Sequence, residues 1–155
     1  LTYQEMNHHK TAIEFFNRAI KLDKDDFEYW YSKARSCQEL NEVEDAYTCY
    51  AKAFDLDEGF IPLVEDYSCF LMNHDMPEEA RHILDVNLNA WPDELRMNLL
   101  MGGLLIRLNK AQESILYLAE AKELDPFAYI LFSREFPDLE GHPIVLDVFK
   151  YKNPE

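Results

Sequence analysis

Residues 30–58 read WYSKARSCQELNEVEDAYTCYAKAFDLDE, a segment in which small and bulky apolar residues alternate at helical spacing. Ala46 and Ala53 fall on one helical face, and Tyr50 lies between them on that face. Apolar residues at intervals of three and four form a stripe along a helix, and small residues in the stripe let a second helix approach closely. With Asn41 as a turn former between the two halves, the segment predicts an antiparallel pair of helices.

The same pattern returns every 34 residues along the chain. The marker positions are Ala12, Ala46, Ala80 and Ser114. Four residues after each marker comes a bulky residue, in order Phe16, Tyr50, Leu84 and Leu118. The polar turns are marked by Asn7, Asn41, Asp75 and Asn109. A period of this length is typical of a solenoid, in which each unit buries its apolar face by stacking on its neighbours. The sequence therefore predicts an all-α fold, an α-solenoid of antiparallel helix pairs.

The repeated unit resembles the tetratricopeptide repeat. The clearest copy carries Trp30, Ala34, Ala46, Tyr50, Ala53 and a break at Glu58, and the fourth carries Gly102, Ser114, Leu118, Ala121 and Asp125-Pro126. The third copy departs from the family pattern, because Val64 stands at a position that is often aromatic and Asn87 replaces a small apolar residue. We expect the buried amide to form a hydrogen bond or to loosen the packing there. The resemblance implies a right-handed superhelix.

We divide the chain into a repeat array over residues 1–126 and capping helices over 127–155. The units are about 1–26, which is partial, 27–60, 61–94 and 95–126. In the partial unit only Leu1–Met6 precede the predicted turn at Asn7-His8-His9, so the chain is expected to begin inside a longer array. In the cap, Pro126 is expected to open a helix through about Phe136, and a last helix is expected over Ile144–Lys150. Aromatic residues of the cap, Phe127, Tyr129, Phe132, Phe136 and Phe149, are expected to cover the last repeat.

Charge argues against a polyanionic partner. The 155 residues carry a formal net charge of −15, and residues 39–94 alone hold two basic against fifteen acidic side chains. Such a field repels nucleic acid and anionic membrane surfaces. No segment reaches the ~18 consecutive apolar residues of a membrane helix, so we expect no membrane insertion and a cytoplasmic protein.

Residues with the spacing of a catalytic or metal site are missing from the sequence. Cys37, Cys49 and Cys69 fit neither a redox pair nor a zinc framework, and His8, His9 and His74 are interpreted as solvated turn residues. We therefore predict a chain that is not an enzyme and that needs no metal or cofactor.

A partner-binding surface follows from the resemblance, since the first helices of tetratricopeptide units commonly line a concave groove that receives a peptide or helix. Applied to this chain, the groove consists of Tyr31, Arg35, Gln38, Glu65, Asp66, Cys69, Met72, Arg96, Leu99, Ile106 and Arg107. Tyr31, Met72, Leu99 and Ile106 would supply apolar contacts, and Glu65 and Asp66 would attract a basic segment. Acidic neighbours are expected to keep Cys69 an inert thiol.

The predicted function is a noncatalytic scaffold or adaptor that holds a protein or peptide partner in this groove. Two alternatives stay open on the sequence. The chain could be a regulatory or substrate-recruiting module of a larger enzyme or sensor, or an assembly element that associates with itself through the open edge of its first unit.

Overall fold

A computed structural model describes residues 1–149, which form nine α-helices and no β-strand. The helices are α1 (Tyr3–Leu22), α2 (Phe27–Glu39), α3 (Val43–Leu56), α4 (Ile61–Asn73), α5 (Pro77–Ala90), α6 (Leu95–Arg107), α7 (Ala111–Leu124), α8 (Ala128–Glu135) and α9 (Pro143–Phe149). The all-α helical-repeat prediction is confirmed. The chain separates into two compact units, Leu1–Val64 and Glu65–Glu155, and each is described by itself.

Three helix pairs turn through a left-handed residue at the predicted positions. Asn41, Asp75 and Asn109 have φ values of 59°, 58° and 58°, a conformation that Asn and Asp tolerate better than most side chains. After α6, the backbone N–H of Asn109 donates to the Ile106 carbonyl at 3.0 Å and that of Lys110 to Leu105 at 2.8 Å. This is the Schellman arrangement, which satisfies carbonyls at a helix end, so these three turn predictions are confirmed.

The fourth predicted turn, at Asn7-His8-His9, is wrong. α1 runs without interruption from Tyr3 to Leu22, and it begins with a capping box in which Thr2 and Glu5 exchange hydrogen bonds. The capping box and the helix propensity of the residues that follow it favour one continuous helix here.

In the first unit, α2 and α3 form the core. Ala34, Ala46 and Ala53 are fully buried, as small residues at a close helix contact should be. Tyr50 is 1% exposed, and its hydroxyl donates a 2.8 Å hydrogen bond to Gln38 Oε1. α1 packs on α2, but no residue of α1 is fully buried.

In the second unit, α6 is the central helix and every residue from Met97 to Ile106 is buried. Two glycines make its close contacts possible. A Cβ added at Gly102 would lie 2.5 Å from Leu118 Cδ2, and one added at Gly103 would overlap the tip of the Phe136 ring. α7 and α8 can therefore approach α6 only because these positions lack a side chain.

The departure at Asn87 has a local explanation. Asn87 is 1% exposed on α5, and its Nδ2 donates to the Ile83 carbonyl at 3.1 Å. Its Oδ1 has no hydrogen-bond partner within residues 1–149. The buried amide thus uses one of its polar atoms in a hydrogen bond, as one of the two expectations had it, while the other atom adds a desolvation cost.

The C-terminal segment packs on the second unit through α8 and α9. Phe132 and Phe136 are buried, whereas Phe127, which was expected to cover the last repeat, is 68% exposed. Lys122 Nζ on α7 donates to the Val148 carbonyl on α9 at 2.9 Å. The last helix begins one residue before the expected start, and the predicted end at Lys150 lies outside the described residues.

Candidate protein-interaction surface

Arg96 on α6 joins three carboxylates from two other helices of the second unit. Its Nε lies 2.9 Å from Glu135 Oε1 on α8, and its Nη1 lies 3.1 Å from Glu65 Oε2 and 3.9 Å from Asp66 Oδ1 on α4. A guanidinium has five donors in a planar fork, so one arginine can serve several carboxylates. We call Arg96, Glu65, Asp66 and Glu135 the Arg96 cluster.

The Arg96 cluster keeps a negative excess at a partly exposed surface. Three carboxylates surround one guanidinium, and the exposed fractions of the Glu65, Asp66 and Glu135 side chains are 15%, 32% and 31%. Burial raises the pKa of Glu65, while the hydrogen bond and charge of Arg96 act in the opposite direction and Asp66 raises it further. The cluster therefore places more carboxylates than guanidinium groups at this surface.

Cys69 lies beside the Arg96 cluster as a poorly reactive thiol. Arg96 Nη2 is 3.8 Å from its Sγ. Burial raises the pKa of Cys69 to about 12, and Arg96 offsets only part of that rise. Because the thiolate is the nucleophile, we expect this thiol to react slowly at neutral pH.

Other predicted groove residues of the second unit take part in internal packing. Leu99 is 1% exposed and Ile106 is 7% exposed, so neither offers an apolar anchor to a partner in this conformation. Arg107 lies over the Phe136 ring at 4.9 Å and pairs with Asp138 at 2.8 Å. Phe136 fills the space over Gly103 on α6, so the segment after α8 covers this helix at Gly103. Met72 is half-buried.

In the first unit, Tyr31 is held among aromatic neighbours. It is 9% exposed, its ring lies 6.3 Å from Tyr50 and 6.0 Å from Phe60, and its hydroxyl donates to the Pro62 carbonyl at 3.3 Å. The Arg35 guanidinium is 5.8 Å from the Tyr31 ring. Arg35 and Gln38 remain exposed on α2, whereas Tyr31 contributes mainly to the core.

Glu135 and Asp138 were missed by the sequence reasoning. Arg107 and Asp138 are 31 residues apart, as are Glu65 and Arg96, which is a little less than one repeat. Pairing each charge with an opposite charge about one repeat further along would have found Asp138. Glu135 lies 39 residues after Arg96, a separation that does not match the repeat, so repeat spacing would not have found it.

Sequence comparison matches residues 1–26, 27–60 and 95–127 to the tetratricopeptide repeat, together more than half of the chain. The chain belongs to the tetratricopeptide repeat family. Between the matched segments lies the unit that contains Val64 and Asn87, the two departures from the family pattern. Family membership places the chain among protein-interaction modules. None of the helices described within residues 1–149 has the length and apolar character needed to cross a bilayer.

Solved structures of tetratricopeptide proteins share the fold. A MamA fragment from Desulfovibrio magneticus RS-1 aligns with a TM-score of 0.71 at 17% identity, over 92% of this chain and 82% of that one. YrrB, described as a TPR protein with an unusual peptide-binding site, aligns at 0.70 and 17% over 92% and 75%. PilW, a type IV pilus biogenesis factor, aligns at 0.70 and 19% over 96% and 70%. At these identities the likeness concerns the fold alone. No curated protein sequence matches the chain.

Proposed function

We propose that this chain is a noncatalytic interaction module that binds a basic segment of a protein or peptide partner at the Arg96 cluster. The observation that supports this most is the excess of carboxylates around a single guanidinium at a partly exposed surface. A lysine or arginine of the partner would meet Glu65 and Asp66 while Arg96 holds Glu135, its nearest carboxylate. Complementary charge of this kind raises the association rate and selects against acidic partners.

The structure also explains why α4 and α8 can present their carboxylates together. Arg96 lies in the first turn of the buried helix α6, and its side chain, 40% exposed, reaches outward between them. Phe136 and Phe132 anchor the segment that carries Glu135. A site built on packed helices holds its charges in place before the partner arrives, which lowers the entropy cost of binding.

Affinity capture from a native lysate tests this proposal. We would compare the wild-type chain with Glu65→Gln/Asp66→Asn, which removes charge at nearly constant shape, and with Asp55→Asn/Glu58→Gln, which removes the same charge at exposed positions of the first unit. A partner retained by the wild type and the control but lost from the first variant supports the proposal. Equal retention by all three proteins would refute it.

A second candidate function, self-association through α1, is favoured by a separate observation. α1 leaves Tyr3, Phe15 and Leu22 exposed by 80%, 63% and 90%, an unusual amount of apolar surface for one helix. If the exposed face of α1 joins a second copy, light scattering should show a mass that rises with concentration and that falls to the monomer mass in Phe15→Glu. A monomer mass for the wild type at every concentration would exclude this function.

A further inference from the structure

A cavity of about 240 Å³ opens where α5, α6 and α7 meet in the second unit. Leu88 and Leu116 form part of its wall, and Leu116 is 70% exposed although it borders a concave space. Tyr117 and Asn98 also line it. The cavity is separate from the Arg96 cluster. Its lining residues lie mainly on α5 and α7, the second helices of their pairs, whereas the Arg96 cluster is built on α4, α6 and α8.

Two carboxylates, Asp85 on α5 and Glu120 on α7, line the same cavity, and none of its lining residues is a cation. Neither carboxylate forms an ion pair within the described part of the chain. Arg81, one helical turn before Asp85, is engaged with Glu113 at 3.1 Å. The cavity therefore combines apolar walls with two carboxylates that form no ion pair within residues 1–149.

The walls of the cavity are fixed by the fold. Asn98 is 2% exposed, and its Nδ2 donates to the carbonyls of Pro92 and Glu94 at 2.6 and 3.0 Å, which holds the segment between α5 and α6. Burial raises the pKa of Tyr117, and the charge of Asp85 raises it further. The tyrosine hydroxyl thus stays neutral beside Asp85.

We propose that this cavity binds a lysine side chain of a protein partner. Its four methylenes would lie against Leu88 and Leu116, and its ammonium group would meet Asp85 and Glu120. A long aliphatic stem that ends in a cation matches an apolar cavity with acidic residues better than a purely apolar or a neutral polar group does. This inference goes beyond the function proposed for the Arg96 cluster, since it concerns other residues and other helices.

Titration monitored by NMR tests the inference without a known partner. The probe is a blocked tripeptide with lysine between two alanines, and the reference is the same peptide with norleucine, which keeps the stem and removes the charge. Saturable shifts in the amide signals of Asp85, Leu88 and Tyr117 are expected with the lysine peptide and not with norleucine. Equal shifts with both peptides, or no saturable shift at these amides, would overturn the proposal.

Matched variants separate this site from the Arg96 cluster. We expect Asp85→Asn/Glu120→Gln to weaken lysine-peptide binding about tenfold, because charge-assisted hydrogen bonds are about twice as strong as neutral ones. Asp55→Asn/Glu58→Gln and Glu65→Gln/Asp66→Asn should bind as the wild type does, provided that each spectrum shows a folded protein. Equal binding by the Asp85 and Glu120 variant would refute the site. Tighter binding of spermidine than of the peptide would assign the cavity to free polyamines and overturn the protein partner.

Discussion

Arg96 and Glu65 show how partial burial limits the strength of an ion pair. Their side chains meet at 3.1 Å, yet burial outweighs the pairing and raises the pKa of Glu65. Removing a carboxylate from water costs free energy that one part-exposed arginine does not fully offset. Keeping Glu65 ionised at neutral pH therefore lowers the stability of the folded chain.

This cost should be visible in the pH dependence of stability. Because the folded-state pKa of Glu65 is raised above its usual value of 4.5, the folded chain takes up a proton at Glu65 before the unfolded chain does. Lowering the pH through that raised pKa therefore stabilises the wild type relative to Glu65→Gln, in which the group is absent. Urea unfolding of both proteins from neutral pH to below 4.5, the usual pKa of the group, measures the difference. If the free energy of unfolding of the wild type relative to Glu65→Gln stays constant or decreases as the pH falls, the assignment is contradicted.

The thiol of Cys69 gives a second prediction at the residue scale. Raising the pKa from 9.0 to about 12 lowers the thiolate fraction about a thousandfold at neutral pH. Reaction of the native chain with iodoacetamide should be slow at pH 7.5, and its rate should keep rising with pH beyond 10. Cys37 and Cys49 are 1% and 2% exposed, so they should react only after unfolding. Rapid labelling of one thiol, or a rate that levels off near pH 9, would disprove the assignment for Cys69.

The contact between α6 and the segment after α8 depends on the absence of one side chain. Gly103 lies against the ring of Phe136, which is 1% exposed and cannot move outward cheaply. Gly103→Ala should gain helix propensity of about 1 kcal/mol but lose about 1–3 kcal/mol through overpacking. We expect a net loss in the free energy of unfolding, measured by urea denaturation.

Gly141 provides the matched control for Gly103. A Cβ at Gly141 would meet nothing within 4 Å, and its φ is not positive. Gly141→Ala should therefore leave the free energy of unfolding nearly unchanged. If Gly103→Ala is as stable as Gly141→Ala or more stable than the wild type, the close contact between α6 and Phe136 is not present in solution.

The turns between helices show what the sequence could predict and what it could not. Asn41, Asp75 and Asn109 were predictable because each side chain favours the left-handed conformation and each follows a complete first helix. Asn7 occupies the same place in the repeat, yet α1 continues through it. The pattern alone could not show this, because a turn of this kind depends on packing between the helices on its two sides and not only on the residue at the turn.

The candidate site was predictable in part for a similar reason. The position of each residue within the repeat, which we call the repeat phase, selected Glu65, Asp66 and Arg96, and the structure brings their charged groups together. The same phase placed Leu99 and Ile106 in an open groove, but they are buried. Repeat spacing gives the face of a helix, while the segment that covers this face belongs to the non-repetitive cap, whose position no spacing rule predicts.

At the scale of the whole molecule, charge is the property that bears most on function. The chain carries a formal net charge of −15, and its family acts through protein interactions. A field of this sign attracts basic segments from a distance and repels polyanions. The Arg96 cluster would then turn this general attraction into a contact at a fixed position on the second unit.

The association rate of a captured basic partner, measured over a range of salt concentrations, tests this account most directly. We predict that Glu65→Gln/Asp66→Asn slows association and flattens its dependence on ionic strength, because the two carboxylates contribute to the field that steers a basic segment to the cluster. The control Asp55→Asn/Glu58→Gln should change both quantities less, since it removes equal charge away from the Arg96 cluster. An unchanged rate and salt dependence in Glu65→Gln/Asp66→Asn would contradict the claim that the Arg96 cluster receives the partner.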